Sequence, residues 1–215
     1  RPSRSIPRFN REFGGKSVKP GTYKAVIHYG DLTSEELITV KEDPRIEVSK
    51  LNTDAVYSAL KDIETLRQTM SDATKQLAES KKSAEKYKKD LSTLDKKKYK
   101  VEVEASKDII KKIDTLFAVY FGKVDKRQGI TRSNLPNVSS RLNKANSYIR
   151  SRKNGVTSTE TTLLTHAKKA LNDALKQTNT FFVNEWKTYK TKIESLNLSE
   201  FKATKEFRIG LEVSY

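Results

Sequence analysis

Apolar residues recur every three or four positions along four stretches of this chain. The first carries Val56, Leu60, Ile63, Leu66, Met70, Ala73, Leu77, Ala84, Tyr87, Leu91 and Leu94, which is the spacing of one continuous helix face. The second runs through Tyr99, Val103, Ile110, Ile113, Phe117 and Tyr120, widened by Ile109, Leu116 and Phe121, with Gly122 placed to end it. A shorter third helix is expected between Pro136, which suits a first-turn position, and Gly155, with Val138, Leu142, Ala145 and Ile149 on one face. The fourth begins at Thr157, where Thr157 and Glu160 have capping-box spacing, and continues through Leu164, Ala167, Leu171, Ala174, Thr178, Phe182, Trp186, Tyr189, Ile193 and Leu196. At the helical rise the first and fourth would each be roughly 55–60 Å long, the second about 35 Å and the third about 25 Å. The two inner helices together therefore match one outer helix.

Chain-breakers divide the sequence accordingly. Neither glycine nor proline occurs from Arg45 to Phe121 or from Val156 to Ile209, as long uninterrupted helices require. Before Pro44 they are dense. There Pro20-Gly21 marks a turn, Thr22–Tyr29 has the β-branched and aromatic enrichment of a strand, and Glu36–Lys41 reads as its return, with a loop near Asp31–Ser34. Two strands alone are marginal in water, so this hairpin must lean on something else. The end of the chain, Phe207-Arg208-Ile209-Gly210-Leu211-Glu212-Val213, alternates like a further strand. Four antiparallel passes would bring it back beside the hairpin. The expected fold is thus mainly α, an antiparallel four-helix bundle over 47–200 with two long outer helices, a β segment within 1–46 whose hairpin covers 22–41, and a C-terminal strand over 206–214 within 201–215.

Composition changes the picture in three ways. Of the 215 residues 35% are hydrophobic, less than an average globular domain even with the glycines added, so a thick α/β core is not expected. Forty-three basic and 27 acidic residues give a formal charge of +16, which brings polyanionic partners into consideration. No cysteine is present, which removes disulfides, thiolate metal sites and cysteine nucleophiles together. The longest apolar run, Leu116–Phe121, is far short of the ~20 residues that span a bilayer, and a soluble chain is expected. Residue 1 is an arginine with no apolar signal core near it, so the sequence reads as a processed or cut-out piece.

Charge is uneven along the chain. Residues 51–74 carry a net −2, 75–112 a net +6, and 123–153 a net +8 in which Asp125 is the single acid. The last block supplies the candidate anionic-ligand or partner patch: Lys123, Lys126, Arg127, Arg132, Arg141, Lys144, Arg150, Arg152 and Lys153. Such residues on phosphates would give steep salt dependence, but Tyr148 is the only aromatic there for base stacking. The plainer reading is a solvated face. Catalytic patterns are missing: the acids are scattered along helix surfaces, His28 and His166 stand alone, and there is neither a Gly-rich phosphate loop nor a Gly-x-Ser-x-Gly elbow. No catalytic, cofactor-binding or metal-ligating residue is therefore assigned, no cofactor is expected, and Trp186 is read as core. Asn137-Val138-Ser139 and Asn197-Leu198-Ser199 have the form of glycosylation sequons.

The phrase Pro20-Gly21-Thr22-Tyr23-Lys24-Ala25-Val26-Ile27, then Val40-Lys41-Glu42-Asp43-Pro44-Arg45 before a long helix, together with Asp125-Lys126-Arg127-Gln128-Gly129-Ile130-Thr131, resembles the C-terminal region of large bacterial sortilin-like proteins. Those are secreted Asp-box (neuraminidase-repeat) β-propellers, often labelled glycosyl-hydrolase-like. The resemblance implies that the hairpin is the end of an immunoglobulin-like sandwich and that the location is secreted or periplasmic. No Ser-x-Asp-x-Gly-x-x-Trp box is present, and one tryptophan with eight glycines cannot build a propeller. The function expected is that of a non-catalytic accessory or interaction module, serving packing, spacing or contact with the parent's own propeller, another protein or an acidic glycan or surface. The alternative is a basic helical protein that binds nucleic acid or another polyanion through 123–153. A glycoside-hydrolase fragment with activity of its own is a third candidate; it requires this chain alone to turn over a chromogenic sugar, which is not expected.

Overall fold

The computed structural model describes residues 18–45, 49–95, 97–123, 136–152 and 154–196. Two strands, β1 (Gly21–Tyr29) and β2 (Leu32–Val40), are followed by helices α1 (Lys50–Asp95), α2 (Lys100–Phe121), α3 (Val138–Ser151) and α4 (Ser158–Phe181); a π-helical turn (Phe182–Trp186) then leads into α5 (Lys187–Glu194). Among the described residues the protein is mainly helical, with four helical stretches, two of them long, and a small antiparallel sheet. The strand expected over 206–214 lies outside the described residues.

The hairpin is tighter than its sequence suggests. β1 and β2 pair from Gly21↔Val40 to Tyr29↔Leu32, so the loop is Gly30–Asp31 and not Asp31–Ser34, and the return strand starts four residues before Glu36. Gly30 has φ +57°, the left-handed value that two-residue hairpin loops demand of their first position. A glycine there closes the turn at once, which lets Leu32–Glu35 join the ladder.

The helical chain forms two compact units, Arg1–Thr69 with Ser139–Lys169, and Met70–Val138 with Ala170–Tyr215. In the first, Val56, Ala59 and Ile63 of α1, Leu142, Ala145 and Ile149 of α3, and Ala167 of α4 are buried. Lys168 of α4 donates to Asp62 of α1 at 2.7 Å, and Arg67 of α1 to Asn143 of α3 at 2.8 Å. Ser49 accepts the Asn52 amide at 3.2 Å and caps α1. In the second unit Leu77, Ala84 and Leu91 of α1 are buried, with Ile109, Ile113 and Leu116 of α2 and Leu171, Ala174 and Phe181 of α4. Lys81 of α1 pairs with Asp114 of α2 at 2.6 Å. Two buried hydroxyl pairs tie α2 to the last helical stretch: Tyr120–Thr178 at 2.8 Å and Ser106–Tyr189 at 3.0 Å.

Some expected core positions shift. In α2 the residues read as widening the face, Ile109 and Leu116, are buried, while Ile110 and Phe117 are half-buried and Phe121 is exposed. The fourth helix is not uninterrupted to residue 200, because it passes through the π-turn and ends at Glu194. Trp186, expected in the core, is half-buried; Phe181 takes the core place. Among the described residues no helix is long and apolar enough to cross a membrane.

Candidate functional site

The hairpin presents a row of exposed apolar side chains. Pairing puts Tyr23 with Ile38, Ala25 with Glu36, Ile27 with Ser34 and Tyr29 with Leu32 on one face, because directly opposed residues share a side of the sheet. Val40 ends the same row. That face is apolar apart from Ser34 and Glu36, yet Ile27 is 69% exposed, Tyr29 81%, Leu32 71% and Ile38 50%. The opposite face is polar by comparison: Lys24 pairs with Glu35 at 2.5 Å and His28 contacts Thr33 at 3.1 Å, with Leu37 opposite Lys24 and Val26 opposite Glu35. The sheet is therefore amphipathic, and among the described residues nothing buries its apolar side. Its root is held more firmly. Tyr57 of α1 donates to the Val18 carbonyl at 2.6 Å, and Lys19 reaches Asp54 at 2.5 Å and lies over the Tyr57 ring. The Asp54 carboxyl is held below its usual range by the hydrogen bond and charge of Lys19.

The basic patch read from the sequence is only partly visible. Lys126, Arg127, Arg132 and Lys153 lie outside the described residues, and Lys123 follows α2 in the second unit. On α3, Lys144 and Arg150 are exposed and Arg141 is half-buried, opposite the buried row Val138, Leu142, Ala145 and Ile149. Tyr148 is 42% exposed and lies four residues after Lys144, on the same stripe. Arg152 has other work: its Nε donates to Glu160 at 2.9 Å.

Glu160 is the most specialised acid among the described residues. It is completely buried, and its carboxylate accepts from the Thr157 backbone N–H at 2.9 Å, from the Thr157 hydroxyl and from Arg152. The Thr157 hydroxyl is the main cause, and with Arg152 it outweighs burial and brings the Glu160 pKa down to about 2. This is half of the capping box expected from the sequence, because the Thr157 hydroxyl donates to the Glu160 carboxylate, and an arginine is added from the end of α3. Its geometry suits closing a helix end, since every partner already belongs to the protein.

A shallow groove of about 570 Å³ lies in the second unit between α2 and the π-turn, lined by Ala105, Ile109 and Lys112 on one side and Val183, Glu185 and Thr188 on the other. Lys112 and Glu185 pair across it at 2.8 Å, which leaves Glu185 neutralised. Among the described residues no group of three or more His, Cys, Asp or Glu side chains could hold a metal ion. Burial raises the pKa of Tyr120 and of Tyr189, against the hydrogen bonds from Thr178 and Ser106 that would lower them. Sequence reading has the hairpin lean on something else but does not name the face; its signal is the alternation of Tyr23, Ala25, Ile27 and Tyr29.

Comparison with protein-family models, with curated proteins and with solved structures finds no match to the chain.

Proposed function

We propose that the chain is a non-catalytic accessory module of a larger secreted or periplasmic protein of the sortilin-like, Asp-box propeller kind, and that it works by contact. The observation that carries this reading is the exposed apolar side of the hairpin, Tyr23, Ile27, Tyr29, Leu32 and Ile38. A two-stranded sheet in water gains little by itself, and a contiguous apolar patch of this kind is a mark of an interaction surface. The residues of the family-like phrase, Pro20 to Ile27, open and form β1, which agrees with a hairpin that ends a sandwich. The helical part would then act as anchor and spacer, joined to the hairpin root through Val18, Lys19, Asp54 and Tyr57.

A photo-crosslinker placed at position 27 in the intact secreted gene product tests the idea. Crosslinks to a β-rich domain, lost when Leu32→Lys/Ile38→Lys is combined with the probe at 27, are expected. A crosslinker that reacts only with solvent, together with unchanged secretion of the double variant, would refute it.

A second reading, polyanion binding, is favoured by Lys144 and Arg150, which are exposed on α3 and have no acidic partner among the described residues. It requires gel-shift binding that weakens steeply with salt and drops about tenfold in Arg141→Ala/Arg150→Ala.

A further inference from the structure

The reversal between α1 and α2 is rich in lysine. The chain turns within a few residues: the Tyr99 N–H donates to the Asp95 carbonyl at 3.0 Å, while the Asp95 carboxylate accepts the N–H groups of Lys97 and Lys98 at 2.9 and 3.0 Å. The acid at the turn is thus committed to the backbone. Lys89, Lys97, Lys98 and Lys100 are exposed, and none makes an ion pair among the described residues; Lys98 lies over the Tyr99 ring at 5.1 Å. The nearby acids are engaged or set back. Glu102 faces Lys192 at 3.5 Å, Glu104 faces Lys107 at 2.7 Å and also interacts with Lys100, and Asp90, next to Lys89, lies five residues before Asp95 on α1. Flanking the reversal, Leu94 is 57% exposed and Val101 63%.

We propose that this reversal is a contact site for an anionic phospholipid surface. Lys89, Lys97 and Lys98, with Lys100 partly offset by Glu104, match a layer of lipid phosphates, since each basic residue near such a layer adds to attraction that is strong at low salt. Leu94 and Val101 decide between lipid and other polyanions. A phosphate-rich glycan or a nucleic-acid backbone offers no apolar phase for them, whereas a bilayer takes apolar side chains between its headgroups while lysine stems reach outward. The site is independent of the hairpin contact proposed above.

The test is co-sedimentation of the full chain with vesicles of neutral phosphatidylcholine, and of phosphatidylcholine with phosphatidylglycerol, with helix content checked by circular dichroism. Binding to the anionic vesicles only is expected. Lys97→Glu/Lys98→Glu/Lys100→Glu should weaken it about tenfold or more, whereas Arg141→Glu/Lys144→Glu/Arg150→Glu, with the same change in net charge, should leave it within about twofold. Equal losses from both triple variants would overturn the proposal, because net charge alone would then explain binding. So would binding that Leu94→Ser/Val101→Ser leaves unchanged and that dextran sulfate in solution matches, which would mark a polyanion site without lipid preference.

Discussion

Glu160 is the side chain whose loss should be felt most clearly through pH. Its carboxyl is held at about 2 when folded, below the range of an unfolded glutamate near 4.3. A depressed folded value adds stability that is present above the unfolded pKa and disappears as pH falls from about 4.3 toward 2. Glu160→Gln should therefore lower the thermal midpoint by a few degrees at pH 7, and the gap between variant and parent should narrow steadily as pH falls through that window. Melts at pH 7, 4 and 2.5 measure it; a gap that does not narrow with acid would mean that charge is not the cause. Gly155 makes a different kind of prediction. Its φ of +97° disfavours any side chain, and a Cβ there would sit 2.9 Å from Asn52 Oδ1. Gly155→Ala should cost about 1–2 kcal/mol in urea denaturation. Adding Asn52→Ala removes the clash but leaves the backbone strain, so recovery should be partial.

At the scale of elements, the π-turn has a reason that periodicity explains. Along α4 the buried positions are Ala167, Leu171, Ala174, Thr178 and Phe181, a regular alternation of four and three. Continued, it would bury residues 188 and 192; the structure buries Tyr189 and Ile193, one residue later. The sequence holds one residue too many for a straight helix, and the wider turn at Phe182–Trp186 absorbs it. Deleting Val183, which is 67% exposed, should let the turn revert to α-helix with the core unchanged, at a cost within about 1 kcal/mol. Deleting Lys176 in regular α4 should rotate Thr178 and Phe181 off the core and cost about 3 kcal/mol or more. Urea midpoints of the two deletion variants measure the contrast, and similar losses would defeat the account.

The same comparison shows what the sequence made legible. The core row of α3 was readable, because Val138, Leu142, Ala145 and Ile149 keep one phase between a proline and a glycine, although the helix starts two residues after Pro136 and ends four before Gly155. In α1 the residues Val56, Ile63, Met70, Leu77, Ala84 and Leu91 repeat every seven positions, a seam period, and all but Met70 are buried. The slip after Phe181 was not readable: Phe182 and Trp186 also fit a spacing of four, and both are large enough to look like core. The basic patch was legible as composition alone. Linear charge counts cannot tell that Arg152 turns to Glu160 while Lys144 and Arg150 remain in water.

For the molecule as a whole, the formal charge of +16 works against the hairpin's exposed apolar side. Like-charged chains repel over roughly a Debye length, about 10 Å at 0.1 M salt and about 3 Å at 1 M. The turn at Gly30–Asp31 leaves both outer edges of an ordered ladder unpaired among the described residues, and the run Ala25-Val26-Ile27-His28-Tyr29 has no proline and no carboxylate. That is the makeup of a segment able to template its own copies into cross-β fibrils. Raising salt toward 1 M, or pH toward the sequence isoelectric point of 9.8, should bring on thioflavin-positive assembly after a lag, and Ile27→Lys should lengthen that lag several-fold. The tight turn that makes the hairpin ready for a partner thus also makes it a seed, restrained by lysines many residues away.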